Sequence, residues 1–313
     1  MPYSPKFASF AGRLGMGPDA LQDLIGLSPK YTIHRLAKKS GGFRLIAKPI
    51  HELALVQRNI LDTVLKPYLE DVSPYVHGGI RGRSYFTHAK AHRRARSAYV
   101  MDLKDAFGQG KPERVAQTLD GLGFDPCWIG CLVALTVDEQ LGLPQGASTS
   151  NALFNLLCAE LDEVMSIFAL RNLMRYTRYV DELVLSSRGE ITGLMQDRAL
   201  TIVRQADWKV NPDKIRLFRE QNGALDITGL SVHDGHVTLP KKRIEKIRVF
   251  LHKALTDRTI YRQMIEGQMS QARLVYGKKL PRRLVRAHEA AVAACYRRRH
   301  EAERRCTECP SLT

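Results

Sequence analysis

An α+β fold is what this sequence predicts. Stretches with strand and helix character interleave along its 313 residues without a regular strand–helix–strand rhythm. No Gly-rich dinucleotide loop opens any of the helices. Hydrophobic residues make up 44% of the chain, enough to fill a sizeable core.

The elements follow in order. Residues 1–30 form a short helical segment. Residues 31–49 predict a basic hairpin, KKSGGFRLIAKP, turning at Gly41-Gly42. Leu53, Val56, Ile60 and Val64 recur at helical spacing, and Pro67 is expected to close that helix. A Gly-rich basic stretch, HGGIRGRS, leads into a helical run to about Arg96. Residues 98–103 read as a buried strand ending in carboxylates, and residues 111–122 and 126–136 as helices. After a loop at 143–146, one strong helix is expected over 148–165. Residues 174–187 alternate as strand, turn and strand, and 199–210 as another helix. Residues 225–239 predict one hairpin turning at Asp234-Gly235, a favoured turn pair. Pro240 introduces a basic amphipathic helix over 241–255, and the remainder is helical and very basic.

Charge narrows the partner class. Lys and Arg number 48 against 32 Asp and Glu, a net of +16. Residues 241–313 hold 19 of these cations against 7 acids, so +12 of the excess lies in the last quarter of the chain. A cationic field concentrated there suits a polyanionic backbone better than general solubility does. The six cysteines show no short disulfide framework, the start MPYSPKFASF has no apolar leader pattern, and no long apolar run is present. A reduced, cytoplasmic, soluble chain with no membrane partner is expected.

Two segments carry the chemistry. YVMDLKDAF places Asp102 and Asp105, and RYVDELVLS places Asp181 and Glu182, where an apolar strand meets a turn. A buried carboxylate needs a cation or a hydrogen bond. Phosphoryl transfer by paired Mg²⁺ ions needs carboxylates converging from separate strands, with the ions roughly 3.5–4 Å apart. Taken singly, each segment is equally a surface turn or a salt bridge.

In combination the segments are specific. DLKDAF, LPQGASTSNALFNLLCAELD, RYVDELVLS and VNPDKIRL occur in that order, and the set resembles the palm motifs of reverse transcriptases over about residues 31–255. The match is closest to the bacterial retron group. KKSGGFRLIAKP resembles its fingers entry, and GRSYFTHAKAH its Asn-Ala-x-x-His segment, with His88 in place of Asn and His92 kept. ITGLSV resembles its Val-Thr-Gly segment, with Ile227 in place of Val and Thr228 and Gly229 kept.

The resemblance implies a right-hand polymerase with fingers, palm sheet and helical thumb. Residues 1–98 would be the N-terminal segment and fingers, which also take part of 108–170. Residues 99–239 would be the palm, and 240–313 the basic thumb and C-terminal tail. The implied reaction is RNA-directed DNA synthesis from dNTPs with two Mg²⁺ ions. A structured noncoding RNA would serve as template and primer, the DNA product would stay linked to it, and an effector protein in anti-phage defence is a further implied partner.

Residue roles follow by resemblance. Asp102, Asp181 and Glu182 are the candidate catalytic carboxylates and, with the carbonyl of Leu103, the candidate metal ligands. Asp105, Ala106 and Gln145 would meet the incoming nucleotide, and Phe107 would lie under its sugar and exclude a 2′-OH. Lys38, Lys39 and Arg44 would face the triphosphate, and Lys214 the departing pyrophosphate. His88, His92, Thr228, Gly229, Lys241, Lys242, Arg243, Arg282 and Arg283 are candidate RNA contacts.

Three readings of Glu182, where the family pattern has a second Asp, stay open: a working substitute, a cause of slow synthesis, or a sign of lost activity. Two readings of the whole compete with the retron one: another bacterial defence reverse transcriptase with specialised or untemplated synthesis, and a catalytically weak RNA-binding partner. Cys295, His300, Cys306 and Cys309 allow a zinc site, though reduced thiols on a helical tail fit the spacing better.

Overall fold

The computed structural model describes the backbone of residues 3–37, 41–70 and 72–307, with side chains through residue 298. Lys38, Lys39 and Cys309 lie outside the described residues, as do the side chains of His300 and Cys306, and with them most of the candidate zinc set.

Two helices, α1 (Pro5–Arg13) and α2 (Pro18–Gly26), open the chain, followed by the antiparallel hairpin β1 (Tyr31–Ala37) and β2 (Phe43–Pro49). Helix α3 (His51–Ile60) does not stop before Pro67 as expected. A π-helical turn over Leu61–Leu65 carries it into α4 (Lys66–Glu70). A π-turn changes the local hydrogen-bond spacing, which allows a residue without an N–H to be taken in.

Next come α5 (Tyr85–Ala91), β3 (Ser97–Asp102), α6 (Pro112–Gly121) and α7 (Pro126–Thr136). The single helix expected over 148–165 is two, α8 (Ser150–Leu157) and α9 (Ala159–Arg171), broken at Cys158. Strands β4 (Arg175–Tyr179) and β5 (Glu182–Ser187) follow. Helix α10 spans Gly193–Gln205, about six residues earlier than the sequence suggested.

Strand β6 (Arg216–Arg219) was not anticipated. The expected 225–239 hairpin is a three-stranded meander, β7 (Leu225–Ile227), β8 (Leu230–His233) and β9 (His236–Thr238). Its first turn, Thr228-Gly229, was missed because Thr seldom takes the positive φ, +51°, that it has here. Helices α11 (Lys241–Lys253), α12 (Arg262–Tyr276) and α13 (Arg282–Thr307) complete the chain.

The central sheet is antiparallel, in the order β4-β5-β3-β6. Strand β3 alternates: Tyr99 and Met101 face one hydrophobic core, and Ala98 and Val100 face another. Both sides of the sheet are therefore covered, which explains an almost uninterrupted apolar strand. The first core takes in α1–α3 and α6–α10. The second joins β7–β9 to α11–α13 through Leu225, Val232, Ile247, Leu251, Ile265 and Leu284. The expected palm–thumb division at 239/240 runs through this second core. No helix among the described residues is long and apolar enough to cross a membrane.

Candidate active site

The site is assembled by strand register. Asp102, the last residue of β3, pairs with Glu182, the first of β5, and Glu182 also pairs with Tyr179 at the end of β4. Val180 and Asp181 form the turn between them. Val180 has φ +55°, a strained conformation for a β-branched residue that persists only where the surroundings over-determine it. Three contacts do so. The Leu103 N–H donates to the Asp181 carbonyl at 2.9 Å. The Arg178 guanidinium donates to the Val180 carbonyl at 2.9 Å. Gly78 lies so close that a Cβ there would stand 2.3 Å from the Val180 nitrogen.

Arg178 is fully buried and reaches Asp162, 1% exposed, through Nε at 2.9 Å and Nη2 at 2.7 Å. The Tyr176 hydroxyl donates to the same carboxylate at 2.7 Å. Burial opposes the Arg178 charge, but Asp162 outweighs it and holds the guanidinium ionised. This network beneath the turn was not anticipated. Its sequence signal is a cation at an inward strand position, with a lone Asp on a neighbouring apolar helix.

Asp102 and Asp181 converge. Burial raises the Asp181 pKa, and the neighbouring Asp102 raises it further, while Lys214 and Arg44 act the other way. Lys214 Nζ donates to both Asp102 oxygens at 2.8 Å. It is brought there by the 3₁₀ turn Pro212–Lys214, anchored where the Asn211 N–H donates to the Asp102 carbonyl at 2.8 Å. Two mutually repelling carboxylates suit a hard divalent cation, which would take the place of Lys214 on Asp102.

Glu182 does not join them. Its Oε1 accepts the Thr228 N–H at 2.9 Å, in the turn between β7 and β8. Burial pushes its pKa up to about 7, against the Thr228 hydrogen bonds, which favour the carboxylate. Among the described residues no group of three His, Cys, Asp or Glu side chains is gathered around a shared cation position. Glu182 was expected to be a metal ligand; in this arrangement its carboxylate is engaged by the Thr228 N–H.

The remaining candidates lie on the segments that follow β3 and dock on β2. Asp105 is exposed at φ +47°, and Ala106 is buried. Phe107 is half-buried and stacks on Phe154 with ring centroids 5.1 Å apart, while its carbonyl accepts the Leu143 N–H at 2.9 Å. The Gln145 carbonyl accepts the Ala47 N–H at 2.9 Å. Gly146, at φ +133°, lies where a Cβ would stand 2.9 Å from the Ala47 oxygen. These contacts dock the Pro-Gln-Gly turn on β2, the strand that carries exposed Arg44.

His88 and His92 are 0% and 1% exposed. His92 is hydrogen-bonded at 2.6 Å to each of Ser186 Oγ and Thr177 Oγ1, and His88 Nδ1 to Thr228 Oγ1 at 2.9 Å. Burial lowers both pKa values, that of His92 to about 3. The expectation that these histidines touch RNA directly is corrected: they hold α5 against β4, β5 and the Thr228-Gly229 turn. Lys241, Lys242, Arg282 and Arg283 are exposed at the starts of α11 and α13, and Arg243 donates to Gln271 Oε1 at 2.7 Å. Cations disfavour a helix N-terminus, so helix stability does not account for their placement.

Comparison with known proteins shows the family. The family described as reverse transcriptase (RNA-dependent DNA polymerase) matches residues 36–273. The chain belongs to the reverse transcriptase family. The retron Mx65 reverse transcriptase of Myxococcus xanthus is 29% identical over 289 residues, covering 82% of this chain and 66% of that protein. The retron Mx162 enzyme of the same organism is 29% identical over 250 residues, covering 71% and 51%. The retron Ec73 reverse transcriptase of Escherichia coli is 27% identical over 255 residues, covering 75% and 78%. The chain thus spans between half and two thirds of the Myxococcus relatives' length. Apo telomerase from Candida tropicalis shares the fold at a TM-score of 0.51 and 11% identity, over 86% of this chain and 63% of that one. Each of these curated relatives is a retron reverse transcriptase.

Proposed function

We propose that this reverse transcriptase is the RNA-directed DNA polymerase of a retron. It copies a cognate structured noncoding RNA from dNTPs, and its single-stranded DNA product stays joined to that RNA. It works in the cytoplasm, in anti-phage defence with an effector protein. The observation that carries the reading is the convergence of Asp102 and Asp181 from separate strand ends, with Lys214 at hydrogen-bonding distance from one of them.

Asp102, Asp181 and the Leu103 carbonyl would hold two Mg²⁺ ions, which when bound activate the attacking hydroxyl and stabilise the leaving pyrophosphate. Arg44 and Lys214 supply positive charge for the triphosphate, and Lys214 can deliver a proton to the departing group. Phe107, backed by Phe154, closes the space a 2′-OH would need. Gln145 and Gly146 present a backbone edge to the nucleotide, held by Ala47 of the fingers hairpin.

Primer extension on an RNA template tests the reading, paired with RNA binding on the same preparations. Asp102→Ala and Asp181→Ala should each abolish extension and leave RNA binding intact. Normal extension by either variant would remove the assignment. The engagement of Glu182 with Thr228 favours one second reading, a catalytically weak RNA-binding partner. That reading expects RNA binding without extension in the unaltered chain.

A further inference from the structure

The catalytic acids occupy one end of the central sheet, and a different surface occupies the other. At the far end, Lys90 lies in the last turn of α5, Arg93 and Arg94 follow that helix, Arg175 opens β4, and Arg188 follows β5. All are exposed, and together they line one open groove floored by His92, Ser186 and Met174. No acidic residue lines it, and none of these cations is in an ion pair among the described residues. Just beyond it, by contrast, Arg96 is met by Glu220 at 3.9 Å and Arg219 by Glu190 at 3.4 Å. Unanswered like charges around one concavity repel each other and focus a positive field, so the groove is matched to a polyanion.

The lining also narrows the kind of polyanion. It contains no Phe, Tyr or Trp. Surfaces for single strands combine cations with aromatic platforms on which bases stack, whereas a closed helix offers mainly phosphates and sugar hydroxyls. The groove lies roughly 17 Å from Asp102 along β3, at about 3.3 Å per residue. It is therefore separate from the nucleotide site.

We propose that this groove grips the phosphate backbone of a base-paired RNA stem while the copied segment occupies the active site at the opposite end of the sheet. That the polyanion is RNA rests on the RNA-directed reading above. The arginines would position the RNA and carry little sequence information.

Fluorescence anisotropy tests this with a 20-base-pair RNA hairpin and a non-folding single strand of equal length. The full chain is compared with the combined variant Arg93→Gln, Arg94→Gln, Arg175→Gln and Arg188→Gln, after thermal melts establish that both are folded. Hairpin affinity should fall by about tenfold or more with a shallower salt dependence, and single-strand affinity by less than about threefold. Extension of a short generic primer–template should be unchanged. If the combined variant melts early, Arg93→Gln and Arg188→Gln singly should each weaken hairpin binding by about threefold. Hairpin affinity within about twofold of the unaltered chain, or equal losses on hairpin and single strand, would overturn the proposal. A wild-type chain that extends no primer, yet loses hairpin binding on substitution, would count against the polymerase reading and leave the groove assignment standing.

Discussion

Glu182 stands opposite Asp102 in the register, yet its carboxylate is turned to the Thr228 amide. Asp102 and Asp181 were readable as a pair because each ends an apolar strand inside a specific motif. The partner of Glu182 was not, since it lies 46 residues away and is set by how the β7–β8 turn packs. The geometry orders the substitutions by reach. Glu182→Gln keeps an acceptor oxygen at the same length and should recover most of what Glu182→Ala loses. Glu182→Asp, one methylene shorter, should fall toward the Ala variant. Single-turnover incorporation measures the order, and hydrogen exchange at the Thr228 amide, measured without metal, reports the contact itself. Slowed exchange in Glu182→Ala equal to that of the unaltered chain would show that the hydrogen bond does not hold the turn.

At the scale of elements, the Asp162–Arg178 pair joins α9 to β4 and, through the Val180 carbonyl, fixes the Val180-Asp181 turn. Removing one partner leaves the other charged and buried, at a cost of about 3–5 kcal/mol. Asp162→Ala should therefore lower unfolding free energy in urea by about that amount and reduce extension wherever folded protein remains. A change below about 1 kcal/mol would mean that water replaces the carboxylate. Sequence pattern located β3, the β4–β5 hairpin, α7 and α11 because their periodicity runs uninterrupted between clear turn residues. It failed at Pro67, where a π-turn absorbs the missing N–H, and at Cys158, where an apolar run conceals a break. It failed again at Thr228, whose side chain gives no turn signal although Glu182 and His88 stabilise the turn from outside.

The whole molecule is organised by two cores on either side of one sheet, with His88 and His92 at the junction. Charge asymmetry predicted a separate basic end, but α11–α13 share their apolar residues with β7–β9, a contact that composition cannot reveal. Cutting the chain before Lys241 would uncover that core, so charge substitutions at Lys241, Lys242, Arg282 and Arg283 isolate nucleic-acid binding more cleanly. The buried histidines also make stability depend on pH. The folded His92 pKa of about 3 lies below the ordinary value of about 6.5, so the neutral ring favours the folded state above about pH 6.5. That contribution is lost progressively as pH falls from about 6.5 toward 3. Between pH 7.5 and 5.5 the unaltered chain should lose about 1 kcal/mol more in urea unfolding than His92→Gln does. Equal losses would show that His92 is protonated in the folded protein.

Templated polymerisation is tested by single-nucleotide addition to one primer on two RNA templates that differ only at the first templating base. Each template should direct its complementary dNTP, in a Mg²⁺-dependent reaction that disappears in Asp181→Ala. Addition that ignores the templating base, or that survives Asp181→Ala, would contradict it.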